Sequence, residues 1–419
     1  MSHVYKGTFV FAPSAGTLNV LADGCCLVEN GIVRETSPSL PEAWQDLPLT
    51  DFGSRLVIPA FTDIHFHAVQ YVNRGLGHDK TLLDWLDTYT FPEEARFLDE
   101  TYADLVFRDV VHDLWAFGSL HSAIYVNISA KTTRNLMSRL EAAGLYAFVG
   151  KVNMDRFGGV LTEDTDESYE ETLRFLEYEG DTVRPIITPR FSPSCTPELL
   201  NRLGALAASR DLPVQSHLNE TKAEVAWVSE LFPEARHYLD TYIQAGLVRP
   251  GWTIMAHCAY DTKEELDLMR ESRVMMAHCP SSNTNLSSGV MPVRRYLAGG
   301  QRIGLGSDIS GGDQLFMPRV VTEAVKASKL LAVLKGDPDD EIDEVTAFFL
   351  ATKGGGDFFG KTGSFEPGYA FDALVIDDSR LTRYRPLTPA ERLTKWLYLG
   401  EPGDIAVRFL DGRELVEPA

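Results

Sequence analysis

The chain has 419 residues, 44% of them apolar, with 33 glycines and 22 prolines, a composition that supplies a large core and excludes a disordered or fibrous protein. Its 60 acidic against 39 basic residues leave a net charge of −21, which repels nucleic acid and anionic membrane and makes a free small molecule the expected ligand. The five cysteines (Cys25, Cys26, Cys195, Cys258, Cys279) hold no Cys-x-x-Cys pair, which argues against a disulfide framework or a cysteine-rich zinc site and fits a reducing cytoplasm.

In chain order, Met1 to Lys6 lacks the apolar h-region of a signal peptide. No run approaches the roughly 18 apolar residues of a membrane span. Residues 1–58 read as short strands and turns. Thr8-Phe9-Val10-Phe11 and Cys26-Leu27-Val28-Glu29 have strand character, and Asn30-Gly31 before Ile32-Val33 is a hairpin signal. A buried strand, Arg55 to Phe61, then runs into Asp63-Ile64-His65-Phe66-His67. Histidines two apart on a strand face the same way, side by side as a metal site needs. Alone, such a pair also fits two hydrogen-bonded structural histidines.

Seven further apolar runs end near Asn127, Lys151, Arg190, His217, His257, His278 and Asp308, with helical patterns between them. Thr196-Pro197-Glu198 opens one helix with an N-cap and a first-turn proline. Thr262 with Glu265 opens another as a capping box. Eight strands alternating with helices predict an α/β fold, a (β/α)8 TIM-like barrel. Gly355 to Thr362 matches the phosphate-loop pattern G-x-x-x-x-G-K-[ST], but a helical run precedes it and Gly363 to Gly368 follows, so the strand and helix that motif requires are missing and nucleotide triphosphate binding is rejected. Ala373-Leu374-Val375-Ile376 and Ala406 to Leu410 before Asp411-Gly412 return to strand and turn. The expected division is a β segment over 1–58, a catalytic barrel over 59–364 and a second β segment over 365–419, with the two ends forming one small β-sandwich domain.

Active sites of this fold sit at the C-terminal ends of the strands. Strand 1 ends there with His65 and His67, strand 5 with His217, strand 6 with His257 and strand 8 with Asp308. Four imidazoles and a carboxylate are a good donor set for zinc or iron. Glu220, three residues after His217, has two readings. It can carry protons for a water whose pKa the metal lowers from about 16 to about 7. Equally, it can be a helix-start acid held by the helix dipole.

These residues resemble the amidohydrolase superfamily and, within it, the guanine deaminases. The resemblance rests on His65-x-His67, His217, His257 and Ser307-Asp308, then on His67 to Tyr71, Leu83-Asp84-Trp85-Leu86, Tyr89-Thr90-Phe91-Pro92, Gly150 to Arg156, Pro189-Arg190-Phe191-Ser192 and His278 to Asn283. It covers about residues 55 to 376. It departs at Ala60, where relatives more often carry glycine. The resemblance implies one metal per chain, usually Zn2+ with Fe2+ as the alternative, held by His65, His67, His217, His257 and Asp308. It implies Glu220 as proton shuttle and Asp308 as the group that takes the water proton. His217, Gln70, Arg190 and Phe191 match substrate positions, and the family suggests a homodimer. A flat purine suits these side chains: Phe191 can stack on its face, and Arg190 and Gln70 can meet O6 and N1–H at its edge. Arg190 also fits a strand-end salt bridge, and Phe191 also fits core. Guanine and water are the expected reactants. Other amino heterocycles (8-oxoguanine, a pterin, ammeline), a two-metal cyclic amidase and a catalytically dead scaffold are the alternatives. Residues 71–96 are expected to cover the pocket.

Overall fold

The structure, a computed structural model, describes residues 2–418; Met1 and Ala419, the outermost residues of the two expected β segments, lie outside the described residues. The chain opens with β1 (Ser2–Ser14), β2 (Thr17–Glu29), β3 (Ile32–Ser37) and β4 (Leu49–Pro59). The expected hairpin at Asn30-Gly31 joins β2 to β3.

The barrel follows. Its strands are β5 (Phe61–His67), β6 (Ser119–Tyr125), β7 (Tyr146–Gly150) continued by β8 (Val152–Asn153), β9 (Val183–Pro185) continued by β10 (Thr188–Pro189), β11 (Val214–Leu218), β12 (Thr253–His257), β13 (Met275–His278) and β14 (Arg302–Leu305). They pair in parallel as β5-β6-β7-β9 and β11-β12-β13-β14. Two seams close the ring. At one, Ile187 N donates to Pro213 O at 2.9 Å and Gln215 N to Ile187 O at 2.9 Å. At the other, Asp308 N donates to His65 O at 2.8 Å. Every residue of β5, β6, β11, β12 and β13 is buried, as expected for parallel strands with helices outside and side chains filling the inside. Ile64, Ala123, Phe148, Ile186, Ile254, Ala256, Met275 and Ala277 pack the interior beneath the strand ends. The predicted helix starts are present: Thr196 accepts from Leu199 N, and Thr262 and Glu265 form the reciprocal box.

The chain ends with β15 (Ala373–Ile376), β16 (Ile405–Leu410) and β17 (Arg413–Glu414). With β1–β4 they make one seven-stranded sheet, ordered β17-β16-β15-β4-β1-β2-β3. Register shifts bend β1 after Gly7 and Phe11. The sheet folds over until its two edges meet at residues 368–371: Phe371 N donates to Gly31 O, and Gly412 N donates to Phe371 O. Phe9, Phe11, Val28, Val57, Phe365, Phe371, Val375 and Phe409 fill the enclosed space.

The phosphate-loop look-alike lies under the barrel, after the helix Glu344–Phe349 and a π-turn at Leu350–Gly354. Its glycine serves close packing, since a Cβ on the facing Gly304 of β14 would sit 2.7 Å from Gly355 Cα. Among the described residues no helix is long and apolar enough to cross a membrane.

The seam between β14 and β5 leaves no room at its upper end. A Cβ on Gly306 would lie 2.6 Å from His65 Cβ and 3.1 Å from Cys279 Sγ. Gly306→Ala is expected to cost about 1–3 kcal/mol by overpacking, read as a lowered thermal midpoint, and to lower the metal content of the purified protein, because the wedge separates His65 from Asp308.

Candidate active site

The barrel positions its polar side chains by ending its strands. On β5, Asp63 is the buried tie: its carboxylate accepts from Ser307 N at 2.9 Å, from His65 N at 3.3 Å and from the Ser307 hydroxyl. This fixes the His65 backbone against the end of β14. Burial pushes the Asp63 carboxyl up to about 7.

His65, His67, His217, His257 and Asp308 come together at the mouth. His67 Nε2 lies 3.3 Å from His65 Nε2 and 3.2 Å from His217 Nε2. Asp308 Oδ1 lies 3.2 Å from His65 Nε2 and 3.4 Å from His67 Nε2. His257 Nε2 is 3.7 Å from Asp308 Oδ2. Two outer acceptors settle tautomers. His217 Nδ1–H donates to Arg190 O at 2.6 Å, and His257 Nδ1–H donates to Asn283 Oδ1 at 2.8 Å. Both leave Nε2 with a bare lone pair facing inward. Burial pulls His65, His67 and His217 below the usual imidazole range, the last two far below it. Burial also opposes charge on His257, but Glu220 and Asp308 outweigh it and raise its pKa.

A divalent ion fits this set. Ligands at the usual 2.0–2.1 Å from a tetrahedral centre lie roughly 3.3 Å from one another, the spacing found here. His257 Nε2 is buried with no hydrogen-bond partner among the described residues. Neutral nitrogen lone pairs turned toward one another are otherwise unfavourable. Groups able to hold an ion are His65, His67 and His217, and His65, His257, Cys279 and Asp308. Among the described residues His278 joins neither.

The remaining predicted residues line the pocket above this cluster. The pocket, a cavity of about 30 Å³, is walled by His67, Gln70, Arg190, Phe191, His217 and Glu220, with Leu82, Trp85, Leu86 and Leu286 above. Those first three apolar residues come from the expected cover, built of helices Leu82–Trp85 and Phe91–Arg96 around a π-turn at Leu86–Thr90. Glu220 is not the helix-start acid. Glu224 does that work, in a capping box with Thr221 that also accepts from Glu220 N at 3.0 Å. The freed Glu220 carboxylate accepts from Ser288 Oγ at 2.8 Å and lies 3.4 Å from His257 Nε2. Burial lifts its pKa to about 7, against the pull of His257.

Arg190 forms the salt bridge and also lines the pocket. Its partner is Glu94, with NH1 at 2.6 Å and NH2 at 3.0 Å from the two carboxylate oxygens. Phe191 is buried, meets Trp227 edge-on and forms one wall. Lys151 takes no part: its ammonium is spent on Glu163 at 2.6 Å and on Ser168. Sequence reasoning missed Glu94, Asn283 and Ser288. Asn283 closes the segment His278 to Asn283 used for the resemblance, and that was the one available signal.

A family model described as the amidohydrolase family matches residues 56–415. The chain belongs to the amidohydrolase family. It is 33% identical to the guanine deaminase of Dictyostelium discoideum over 98% of both chains. It is 33% identical to the guanine deaminase of Homo sapiens over 99% of this chain and 97% of that one. A guanine deaminase from C. acetobutylicum, solved with guanine bound in its active site, superposes with a TM-score of 0.96 at 40% identity, over 99% of this chain and 100% of that one. Amidohydrolases are metal-dependent, and the cluster at the barrel mouth is where this one can hold its ion.

The Asn283 amide has a job that can be measured in this amidohydrolase. Asn283→Ala removes the acceptor that holds the His257 Nδ1 proton and with it the orientation of the ring. Metal affinity is expected to fall by about 10–100-fold, read by competition with a chromogenic chelator, with the circular dichroism spectrum unchanged.

Proposed function

We propose that this amidohydrolase is a guanine deaminase that converts guanine and water to xanthine and ammonia. One observation carries the reading. One pocket is lined by His67, His217, His257, Asp308 and Glu220 together with Arg190, Gln70 and the Phe191 ring, a set that supports a metal-held water, a proton carrier and a grip on a flat ring. The 40% identical neighbour with guanine bound supports it.

In this reading His65, His67, His217, His257 and Asp308 hold one divalent ion, zinc being the best match to nitrogen-rich tetrahedral sets. When bound, that ion supplies Lewis acidity and a water acidic enough to attack near neutral pH. The side chains do the rest. Phe191 takes one face of the purine. Arg190 and Gln70 hold the edge that carries O6, which turns the C2 amino group toward the histidines. Asp308 accepts one proton of the attacking water, whose oxygen bonds to C2. Glu220, raised to about 7, can both accept and donate near neutral pH. It carries one water proton to ring N3; the remaining hydroxyl proton, taken by Asp308 as the C2 carbonyl forms, reaches the amino nitrogen through Glu220, the C2–N bond breaks, and ammonia leaves with xanthine behind and both carboxylates restored. The cover of Leu82, Trp85 and Leu86 excludes bulk water.

The occupied ammonium of Lys151 weighs against a two-metal cyclic amidase, which needs a lysine free to bridge metals. We take the enzyme to be a cytoplasmic homodimer of purine catabolism: its five cysteines are buried free thiols, and the family resemblance suggests the dimer.

Purified enzyme given guanine is expected to release xanthine and ammonia in equal amounts, followed by ultraviolet spectrum and a coupled ammonia assay. Glu220→Gln should lower kcat by about 10²–10⁴-fold while retaining its metal. One metal per chain is expected by elemental analysis, and two would favour the amidase. No turnover of guanine by folded, metal-loaded protein would sink this assignment and move the search to 8-oxoguanine, pterins and triazines.

A further inference from the structure

Glu94 belongs to no strand end. It sits on the short helix Phe91–Arg96 of the cover and is fully buried. Its two oxygens make three contacts, all with the side chains expected at the substrate edge. Oε2 accepts from Arg190 NH1 at 2.6 Å; Oε1 accepts from Arg190 NH2 at 3.0 Å and from Gln70 Nε2 at 2.8 Å.

These contacts fix more than position. The guanidinium is locked in plane by a two-point bond, with the Phe91 ring centroid 5.1 Å from its central carbon. NH1 also reaches Met154 Sδ at 4.0 Å, so the second N–H of NH2 is the one kept for another acceptor. The Gln70 amide is fixed by partners of opposite polarity. Its NH₂ must face the Glu94 carboxylate, which can only accept, and its Oε1 must face Ser310 N–H at 3.3 Å, which can only donate. The amide therefore cannot turn over, and what it has left for the pocket is its second N–H.

We propose that Glu94 is a positioning residue that makes the Arg190–Gln70 edge donor-only, and that this edge is what selects an oxo group over an amino group on the purine. The proposal rests on reading Arg190 and Gln70 as the contacts to the oxo edge. A carbonyl at that position accepts from both side chains, while N1–H, which a donor-only edge cannot meet, is left to another partner in place of the expected pairing with this edge. An exocyclic amine meets N–H groups with its own N–H groups and leaves buried donors unpaired, which is the strong form of discrimination. A neutral amide at position 94 ends the constraint. It can donate as well as accept, so Gln70 can turn and offer its oxygen to an amine.

The test is binding, free of turnover. Hypoxanthine and adenine share a ring system, differ in oxo against amino at position 6 and with it in N1–H against a bare N1, and both lack the 2-amino group. Isothermal titration calorimetry on the metal-loaded enzyme should show hypoxanthine preferred over adenine by about 100-fold or more. In Glu94→Gln this preference should fall below about 10-fold, with metal content close to wild type and the thermal midpoint lowered because the buried Arg190 loses its counter-charge. A variant that binds both purines more weakly but keeps the ratio overturns the proposal, because mere structural support moves both together. Should Glu94→Gln not fold, Glu94→Asp keeps the charge and withdraws both oxygens by about one bond; it is expected to narrow the same ratio, and an unchanged ratio counts against the proposal. A wild type with no preference for hypoxanthine defeats the underlying reading of the edge, an outcome distinct from a preference that survives the substitution.

Discussion

The structure turns on one constraint: four imidazoles and one carboxylate must be held within about a bond length or two of one another, away from water, without pairing off. Imidazoles left free would rotate to share protons. Here the backbone and the outer acceptors forbid it. Arg190 O and Asn283 Oδ1 each take the Nδ1 proton of a histidine, and Asp63 fastens β5 to the residue before Asp308. Burial disfavours protonation of His65, His67 and His217. What remains is a set of lone pairs aimed at one point, which is unfavourable until a cation occupies it. The fold supplies the energy to assemble the set, and the cation then recovers it.

Part of the cost is visible in the backbone. His257 (φ 75°), Cys258 (φ 45°) and Asp308 (φ 48°) lie in the left-handed region, as does Asn219 (φ 51°) just before Glu220. Each such residue costs on the order of 1–3 kcal/mol when not glycine. They cluster where strands must stop and turn sharply so that a side chain points inward over the barrel. Asn219 shows how the cost is offset: its amide donates to Asp261 at 2.7 Å and to Glu265 at 3.1 Å, which anchors the turn that presents Glu220.

The barrel and its mouth were legible because both follow from local spacing. A buried strand that ends in a polar residue can be read in one dimension, and eight of them in alternation with helices define where those residues meet. His65, His67, His217, His257 and Asp308 are visible for that reason. Glu220 was half visible: spacing offered two roles, and the capping box of Thr221 with Glu224 removes the helix-start one. Arg190 shows the converse, since it forms the salt bridge and still lines the pocket. Glu94, Asn283 and Ser288 were hidden because their meaning is entirely non-local. Glu94 is 96 residues from Arg190 in sequence, and Ser288 is 68 from Glu220. A glutamate in Phe91–Arg96 reads as a helix acid until the cover is seen to fold over the pocket.

The charge at the site also bears on what can enter. Arg190, the cation in the pocket wall, is already neutralised by Glu94. Glu220 and Asp308 face the metal end, where a divalent ion balances them. Among the described residues lining the pocket no unpaired Lys or Arg is left to attract an anion, and the chain as a whole carries −21, so a phosphorylated purine gains little by approaching and must shed its hydration to enter. A neutral, flat ring with one acceptor edge loses little on entry and finds a donor for that acceptor. Cancellation of charge in the wall therefore favours a neutral ligand there over an anionic one.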